Sequence, residues 1–350
     1  MVKPQLIPVF WDVDLTITKR YQQVPLFAHY KDKIAQKLKK YGFTYVKEES
    51  YWDVVNNCRP DSDPGITYLQ EILWDSQPGG IFEGLTTDDL YNFGKEVEPA
   101  TGFVECLKAL QEKFAGRAEF HHFFVSVGMR DMILGFVDKN NLRPYIAGIA
   151  ASDYFVDEKK RLTGIRRVVS PFTKNEWIIG FMKGDHRLLN MQLKSNEYKY
   201  RYENMIVIGD GFTDTSKFAY AKKKGGTPCA VYVPGDEQSF EKAKKTVGMW
   251  VDYLLPRDYT PTGTTFEQLT KIIEKKLTRR CSFRPSALHD FRKGAIIHPD
   301  EYALVQKHIA SCAECAQYFT QTFAHPDGTI TSAQVLAAPK DQSKLSLFLK

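Results

Sequence analysis

The sequence predicts an α/β protein in which helices cover a parallel sheet. Four short apolar runs, each suited to one buried strand, are separated by amphipathic helical patterns: residues 5–12, 122–127, 205–208 and 229–233. Alternation of apolar strands with helices is typical of a parallel sheet that is covered on both faces. Because sites in such sheets form beyond the carboxyl ends of the strands, the polar residues that follow these runs are the candidate functional groups.

The bulk composition is that of an ordinary folded protein. The chain has 350 residues, of which 43% are hydrophobic and 26% charged, and this length suggests two or three domains. The first apolar run is too short for a signal peptide or a membrane span, so we expect a cytoplasmic protein that does not contact a membrane. The net charge of +6 is modest and its lysine clusters lie among acidic residues. Solvated helix faces are therefore expected, and nucleic-acid binding is not.

An insertion separates the first two predicted strands. A strand–helix–strand unit needs only about 30 residues, and the interval here is far longer. The excess, residues 19–95, contains helical patterns and is predicted to form a mainly helical cap. A long structureless loop is the alternative. Residues 1–18 and 96–275 then form the catalytic core.

The cap is expected to select the substrate. Its aromatic and basic residues are candidates to touch a leaving group, and they are equally compatible with the core of the cap: Tyr21, Tyr30, Trp52 and Arg59.

Two carboxylates, Asp12 and Asp14, follow the first predicted strand in the sequence DVDLT. In an extended backbone residues two apart point the same way, so a bound cation is needed to offset their repulsion. Oxygen ligands suit Mg²⁺, which takes one or two carboxylates together with phosphate oxygens. One carboxylate can then attack phosphorus while the other protonates the leaving oxygen. The alternative is an acidic pair that is merely solvated at a strand end.

Polar residues also follow the later strands. Ser126 ends the second strand, where it could hold a phosphoryl oxygen or cap a helix. Lys174 begins a predicted helix and could neutralise charge on a transferring phosphoryl group, or lie on the surface. Asp210 and Asp214, in GDGFTD, follow the third strand, and the glycines permit close backbone approach. The alternative for this last pair is a tight turn with a capping aspartate.

The ordered set DVDLT, Ser126, Lys174 and GDGFTD resembles the haloacid dehalogenase-like superfamily, in its phosphoserine-phosphatase-like branch. The resemblance extends over roughly residues 5–275, and AASDYFVDEKKRLTGI (150–165) is similar to the stretch that follows the second motif in that branch. It implies a Rossmann-like core with an inserted cap and a phosphatase that acts on a small phosphorylated substrate.

The resemblance also implies catalytic roles. Asp12 would be the nucleophile that becomes an aspartyl-phosphate, and Asp14 would protonate the leaving group and later activate water. Mg²⁺ would be held by Asp12, the backbone carbonyl of Asp14 and Asp210, with Asp214 supporting these ligands.

Three residues would bind the phosphoryl group by the same resemblance: Ser126, Lys174 and Thr16. Thr16 would also position the loop between the nucleophile and the cap. Lys183, in FMKGD, is an alternative to Lys174. The presence of Asp14 disfavours dehalogenation, because members specialised as dehalogenases are expected to lack the second acid.

A second metal site is predicted near the C-terminus, where His308, Cys312 and Cys315 form the pattern H-x3-C-x2-C. Two thiolates with an imidazole one helical turn before them can face one tetrahedral ion, and Zn²⁺ favours this mixture of sulfur and nitrogen. Three upstream residues compete for the fourth position: Cys281, which we favour, His289 and His298.

The cysteine and histidine pattern resembles the small zinc finger of anti-sigma factors. The resemblance covers only about 40 residues and implies a helical zinc module over residues 278–325, with a possible protein partner. A helical hairpin without metal is the alternative. Residues 326–350 are predicted to be a polar tail that is flexible or docks on a partner.

The sequence therefore favours a magnesium-dependent phosphomonoesterase. A phosphotransferase or mutase would use the same residues. A regulatory protein that binds a partner through the zinc module is the alternative from a different class.

Overall fold

The computed structural model describes residues 4–58, 63–194, 197–277 and 299–311. The strands are β1 (Gln5–Trp11), β2 (Ala118–Met129), β3 (Ile146–Val156), β4 (Leu162–Arg167), β5 (Ile206–Gly209), β6 (Thr227–Tyr232) and β7 (Tyr253–Pro256). The α-helices are α1 (Val24–His29), α2 (Lys31–Lys40), α3 (Tyr51–Cys58), α4 (Pro64–Asp75), α5 (Thr87–Lys95), α6 (Phe103–Lys113), α7 (Arg130–Lys139), α8 (Lys174–Lys183), α9 (Thr215–Lys223), α10 (Glu237–Val247), α11 (Thr264–Leu277) and α12 (Pro299–Ser311).

Within the described ranges the seven strands form one sheet in the order β4-β3-β2-β1-β5-β6-β7. All neighbouring strands are parallel except β3 and β4, which pair antiparallel. The predicted α/β class with a mostly parallel sheet is confirmed. The first strand β1 lies between β2 and β5, so the residues that follow these three strands meet at one edge.

The four predicted strands are all present, but β2 is longer than expected. It runs over Ala118–Met129, so Ser126 lies inside the strand and does not end it, as the sequence had suggested. The pairing of β2 with β3 shifts register between Val125 and Met129. This irregularity explains the difference, because it bends the backbone around Ser126 without ending the strand.

Three strands are absent from the sequence prediction: β3, β4 and β7. The first two form an antiparallel hairpin around the segment 150–165, in which alanine, serine and charged residues interrupt any apolar run. The last, β7, has only four residues. β4 and β7 are short edge strands, and the apolar residues of β3 are interrupted by Gly148, Ser152 and Asp153, so these strands give a weak signal in the sequence.

Residues along β1 alternate between two clusters on opposite faces of the sheet. Val9 and Trp11 pack with residues of α6, α7 and α11, whereas Phe10 packs with residues of α8, α9 and α10. Trp11 is fully buried, lies edge-on to Phe103 with ring centroids 5.2 Å apart, and donates a hydrogen bond from Nε1 to His122 Nδ1 at 3.1 Å. Burial on both faces fixes the position of the strand whose end carries Asp12.

A separate apolar cluster fills the region where the helical cap is predicted. Helices α1 to α5 fall within residues 19–95, and their buried side chains include Leu26, Phe27 and Leu69. Residues of β2, α7 and the β3–β4 hairpin join the same cluster, among them Met132 and Tyr154. The boundaries of the predicted domains stay a prediction.

Helix α5 packs directly on α7 through two glycines. A Cβ atom at Gly94 would lie 2.0 Å from the carbonyl oxygen of Met132, and one at Gly135 would lie 1.9 Å from that of Tyr91. The two helices are therefore in contact backbone to backbone, which only glycine permits.

Several predicted residues lie outside the described ranges. They are the zinc candidates Cys281, His289, His298, Cys312 and Cys315, the cap residue Arg59, and the tail 326–350. His308 is described and lies on α12. In the described ranges no helix is both long and apolar enough to cross a membrane.

Replacing Gly94 by alanine should destabilise the protein by about 1–3 kcal/mol, because the added methyl group forces α5 away from α7. Urea denaturation measures the effect. Gly248→Ala is the matched control: its backbone has helical angles and the nearest atom to a new Cβ is 3.8 Å away. Equal denaturation midpoints for the two variants would contradict the close packing described above.

Candidate active site

The ends of β1 and β5 and the start of α8 place Asp12, Lys174 and Asp214 together. The backbone N–H of Asp12 donates to the carbonyl of Ile208 in β5 at 2.9 Å, which joins the two strand ends. Lys174 begins α8, and its Nζ donates to Asp12 Oδ1 at 2.6 Å and to Asp214 Oδ1 at 2.7 Å. Lys174 is only 1% exposed, so this interaction takes place out of water.

Lys183, the alternative to Lys174, binds backbone carbonyls and not these carboxylates. Lys183 Nζ donates to the backbone carbonyls of Leu188, Leu189 and Met191, at 2.9, 2.8 and 2.6 Å. Of the two lysines left open by the sequence, it is Lys174 that contacts the carboxylates.

Asp214 is completely buried and both of its oxygens are occupied. Oδ1 is paired with Lys217 Nζ at 2.8 Å as well as with Lys174, and Oδ2 accepts from the backbone N–H of Asp210 at 3.1 Å. Lys217 Nζ also donates to the carbonyl of Ile208 at 3.1 Å. Although burial alone would raise it, the two ammonium groups hold the pKa of Asp214 below its ordinary value.

Sequence reasoning missed Lys217. It lies three residues after Asp214, at the start of α9, so the two side chains are neighbours on the same helical turn. The spacing alone could have suggested the pair, but a lysine in the run TDTSK has no feature that marks it as buried.

Three carboxylates are close enough to share one cation. One oxygen from each of Asp12, Asp210 and Asp214 lies within 4.8 Å of the others. Burial, together with the charges of Asp214 and Asp12, raises the pKa of Asp210 to about 8. Four aspartates, counting Asp14, lie near two lysines, so ionisation of all four would leave an excess of negative charge for a cation to balance. An all-oxygen site with this excess of negative charge fits Mg²⁺.

Asp14 is held by Gln22, which the sequence analysis did not single out. The backbone N–H of Gln22 donates to Asp14 Oδ1 at 2.6 Å, and its Nε2 donates to Oδ2 at 3.2 Å. The amide oxygen of the same side chain accepts from the N–H of Met129 at 3.0 Å. A Cβ at Gly128 would lie 1.8 Å from Gln22 Nε2, so a side chain there would displace this amide. Gln22 thus connects Asp14 to the backbone beyond Ser126.

Asp14 has the properties of an acid/base group. Burial and the nearby charge of Asp12 raise its pKa to about 7, against the hydrogen bonds from Gln22. A group with a pKa near neutrality transfers protons in both directions at the working pH.

Ser126 and Thr16 differ in their surroundings. Ser126 is buried, lines the cavity and accepts a hydrogen bond at Oγ from the N–H of Gly128 at 2.9 Å. Thr16 is also buried, but it does not line the cavity, and its Oγ1 has no hydrogen-bond partner among the described residues. Its carbonyl accepts from the hydroxyl of Tyr259 at 2.9 Å.

Residues of the loop that follows β7 form hydrogen bonds with the turn after Asp14. Leu15 has a positive φ of 57°, which is uncommon for a residue with a side chain. Arg257 donates from Nη1 to the carbonyl of Leu15 at 2.9 Å and to that of Thr18 at 3.3 Å. These bonds, with that of Tyr259, fix the path of the chain from Asp14 to the predicted cap.

A cavity of about 790 Å³ contains the site. The predicted catalytic and phosphate-binding residues on its wall are Asp12, Asp14, Ser126, Lys174 and Asp210. Of the cap candidates, Tyr21 and Trp52 line it, whereas Tyr30 does not and instead packs against Phe82 with ring centroids 5.0 Å apart.

Neither a family model nor a curated protein matches the sequence. The fold is similar to that of solved structures at low identity. A phosphoserine phosphatase in apo form is 17% identical, with a TM-score of 0.45 and coverage of 73% of this chain and 96% of that one. Cytosolic 5′-nucleotidase IIIB bound to cytidine is 15% identical, with a TM-score of 0.44 and coverage of 78% and 87%.

L-2-haloacid dehalogenase from Xanthobacter autotrophicus is 13% identical, with a TM-score of 0.38 and coverage of 76% of this chain and 99% of that one. Similarity at this level concerns the fold. We therefore infer the function from the residues of the site.

Lys217→Met should destabilise the protein by about 3–5 kcal/mol, because it leaves the buried charge of Asp214 with one ammonium partner fewer. Urea denaturation provides the measurement. Lys223→Met changes an exposed lysine of the same helix and should alter stability by no more than about 0.5 kcal/mol. A Lys217→Met protein as stable as this control would show that the buried pair contributes nothing to the fold.

Proposed function

We propose that this protein is a phosphatase of the haloacid dehalogenase-like type, which hydrolyses phosphate monoesters with Mg²⁺ through an aspartyl-phosphate on Asp12. The observation that carries the proposal is the contact of Lys174 with Asp12 on the wall of a cavity that also holds Asp14. A nucleophilic carboxylate, a cation beside it and a separate acid/base carboxylate are what phosphoryl transfer requires.

In the first step a carboxylate oxygen of Asp12 attacks phosphorus, and the bond between phosphorus and the leaving oxygen breaks. Asp14 in its protonated form gives its proton to that oxygen, so an alcohol leaves. In the second step Asp14, now ionised, takes a proton from water, which attacks phosphorus and releases inorganic phosphate. Asp12 returns to a free carboxylate and Asp14 is protonated again.

Lys174 keeps a fixed positive charge at the nucleophile. Burial opposes its charged form, but the charges of Asp12 and Asp214 raise the pKa of Lys174 above its ordinary value. The pKa of Asp12 is nevertheless raised, by burial and by Asp214, and Lys174 only partly offsets these effects. A cation bound by Asp12 and Asp210 would lower it, since an opposite charge favours the ionised form.

Mg²⁺ would be held by Asp12, Asp210 and the backbone carbonyl of Asp14, and when bound it supplies charge stabilisation for the transferring phosphoryl group. Asp214 supports this arrangement, because its two oxygens already bind Lys174, Lys217 and the N–H of Asp210. Ser126 is proposed to bind a phosphoryl oxygen. Thr16 is proposed to act through the loop, since its side chain does not reach the cavity.

Asp12→Asn should lower kcat/KM for a generic aryl phosphate by at least about 10³-fold, because the nucleophile is lost. Turnover of the unmodified protein should cease on chelation and return when Mg²⁺ is added. Asp88→Asn is a control for loss of an aspartate, since Asp88 is exposed and, within the described ranges, its ion pair is with Lys160.

Undiminished turnover by Asp12→Asn would remove Asp12 from the nucleophile role. Release of inorganic phosphate in proportion to alcohol identifies hydrolysis, whereas a phosphorylated acceptor in place of phosphate would indicate a transferase or mutase.

We also propose that the C-terminal residues bind Zn²⁺ through Cys281, His308, Cys312 and Cys315 and that this module contacts a protein partner. The proposal is supported by the H-x3-C-x2-C spacing and by the helix α12, which carries His308 at its C-terminal end.

Metal analysis of the full chain should find about one zinc ion per molecule, lost when Cys312 and Cys315 are both replaced by serine. Cys58→Ser, a cysteine outside the pattern, should retain the metal. Absence of zinc from the unmodified protein would refute the site.

A further inference from the structure

Three aromatic side chains of the predicted cap form a continuous wall of the cavity: Tyr21, Trp52 and Tyr68. The ring centroids of Tyr21 and Trp52 are 6.2 Å apart with an interplanar angle of 63°, and those of Trp52 and Tyr68 are 5.4 Å apart at 70°. The ring of the fully buried Phe27 packs edge-on against Trp52, with ring centroids 5.6 Å apart. We refer to Tyr21, Trp52 and Tyr68 as the aromatic wall.

The aromatic wall begins at the catalytic groups. The hydroxyl of Tyr68 donates to the carbonyl of Val127 at 2.7 Å, one residue after Ser126. At the other end Tyr21 directly precedes Gln22, the residue that holds Asp14. Tyr21 lines the same cavity as Asp14 and Asp210. An ester whose phosphoryl group lies at Asp12 therefore presents its alcohol part to this wall.

The cavity is large enough for a sizeable alcohol. Its volume of about 790 Å³ is that of a site for a drug-sized ligand, and a phosphoryl group would fill only a small part of it. Phe212, from the loop that carries Asp210, adds a further ring to the lining and is 76% exposed.

The described cap residues that line the cavity carry no charge: Tyr21, Gln23, Trp52, Val55, Asn56, Gly65 and Tyr68. The charged lining residues away from the catalytic groups, Asp236, Lys242 and Arg257, come from the core. On the cap side the alcohol thus meets rings and neutral amides. An aliphatic, ionised alcohol such as an amino acid would find no charged partner on these residues, whereas a flat ring would stack.

We propose that the alcohol released by this protein carries a flat aromatic ring, which stacks on Trp52 and meets the ring of Tyr21 at an angle. The inference rests on the proposed phosphatase activity and specifies the substrate class of the same site. Stacking of a planar ring on an aromatic side chain contributes enough affinity to change binding by roughly 5- to 100-fold.

Benzyl phosphate and cyclohexylmethyl phosphate test the proposal, because both release a primary alcohol of similar size and only the former has a flat ring. With Mg²⁺, kcat/KM should be at least about tenfold higher for benzyl phosphate. Trp52→Leu should bring the ratio of the two values close to one. Tyr41→Leu is the matched control, since Tyr41 is a half-exposed aromatic residue of the same region that does not line the cavity, and it should leave the ratio unchanged.

Equal kcat/KM values for the two esters, or a ratio that Trp52→Leu does not change, would overturn the proposal while leaving the phosphatase activity in place. Tyr21→Leu provides a second variant of the wall, at a side chain that is 37% exposed and so tolerant of change.

Calorimetry with the Asp12→Asn protein measures the binding of both esters without turnover. It therefore distinguishes failure of the ring-site proposal from failure of the phosphatase proposal. Tighter binding of benzyl phosphate that disappears in Asp12→Asn/Trp52→Leu supports the ring site even if neither ester is hydrolysed, in which case it is the phosphatase proposal that fails. Equal binding of the two esters refutes the ring site independently of turnover.

Discussion

The buried ammonium group of Lys174, between Asp12 and Asp214, is the interaction on which the site depends. These residues come from three separate parts of the chain, after β1, at the start of α8 and before α9, and the pairing of β1 with β5 brings the two strand ends together. Each charge would be costly to bury alone, and each is buried here because the others are present. The site therefore depends on the pairing of these two strands.

A second constraint acts on Asp14, which has no lysine partner among the described residues. Its carboxylate is oriented by the backbone and side chain of Gln22, and Gln22 is itself fixed by Met129 and by the absence of a side chain at Gly128. Asp12 and Asp14 thus have different environments. Burial and the charge of Asp214 raise the pKa of Asp12 and Lys174 partly offsets this rise, whereas burial and the charge of Asp12 raise the pKa of Asp14 to about 7.

The sequence was informative where a structural feature requires one kind of residue, such as apolar residues in a buried strand or carboxylates at a strand end. Short apolar runs predicted β1, β5 and β6 closely, and the acidic pairs at strand ends predicted Asp12, Asp14 and Asp210 as neighbours at one edge of the sheet. It was uninformative where tertiary contacts decide. The strands β4 and β7 are short, the apolar residues of β3 are interrupted by Ser152 and Asp153, and the register shift that keeps Ser126 inside β2 has no sequence signature. Lys217 and Gln22 were missed because their roles arise from burial and from distant partners, which spacing does not reveal.

The contact of α5 with α7 has a mechanical consequence. Gly94 and Gly135 bring the two helix backbones together with no side chains between them, so neither helix can slide or tilt without the other. Helix α7 in turn continues directly from β2, the strand that carries Ser126. A helix that the sequence assigns to the cap is thus a rigid extension of the core. A rigid rotation of residues 19–95 about residue 96 would break this contact, so we expect α5 to stay with the core in any movement of the cap.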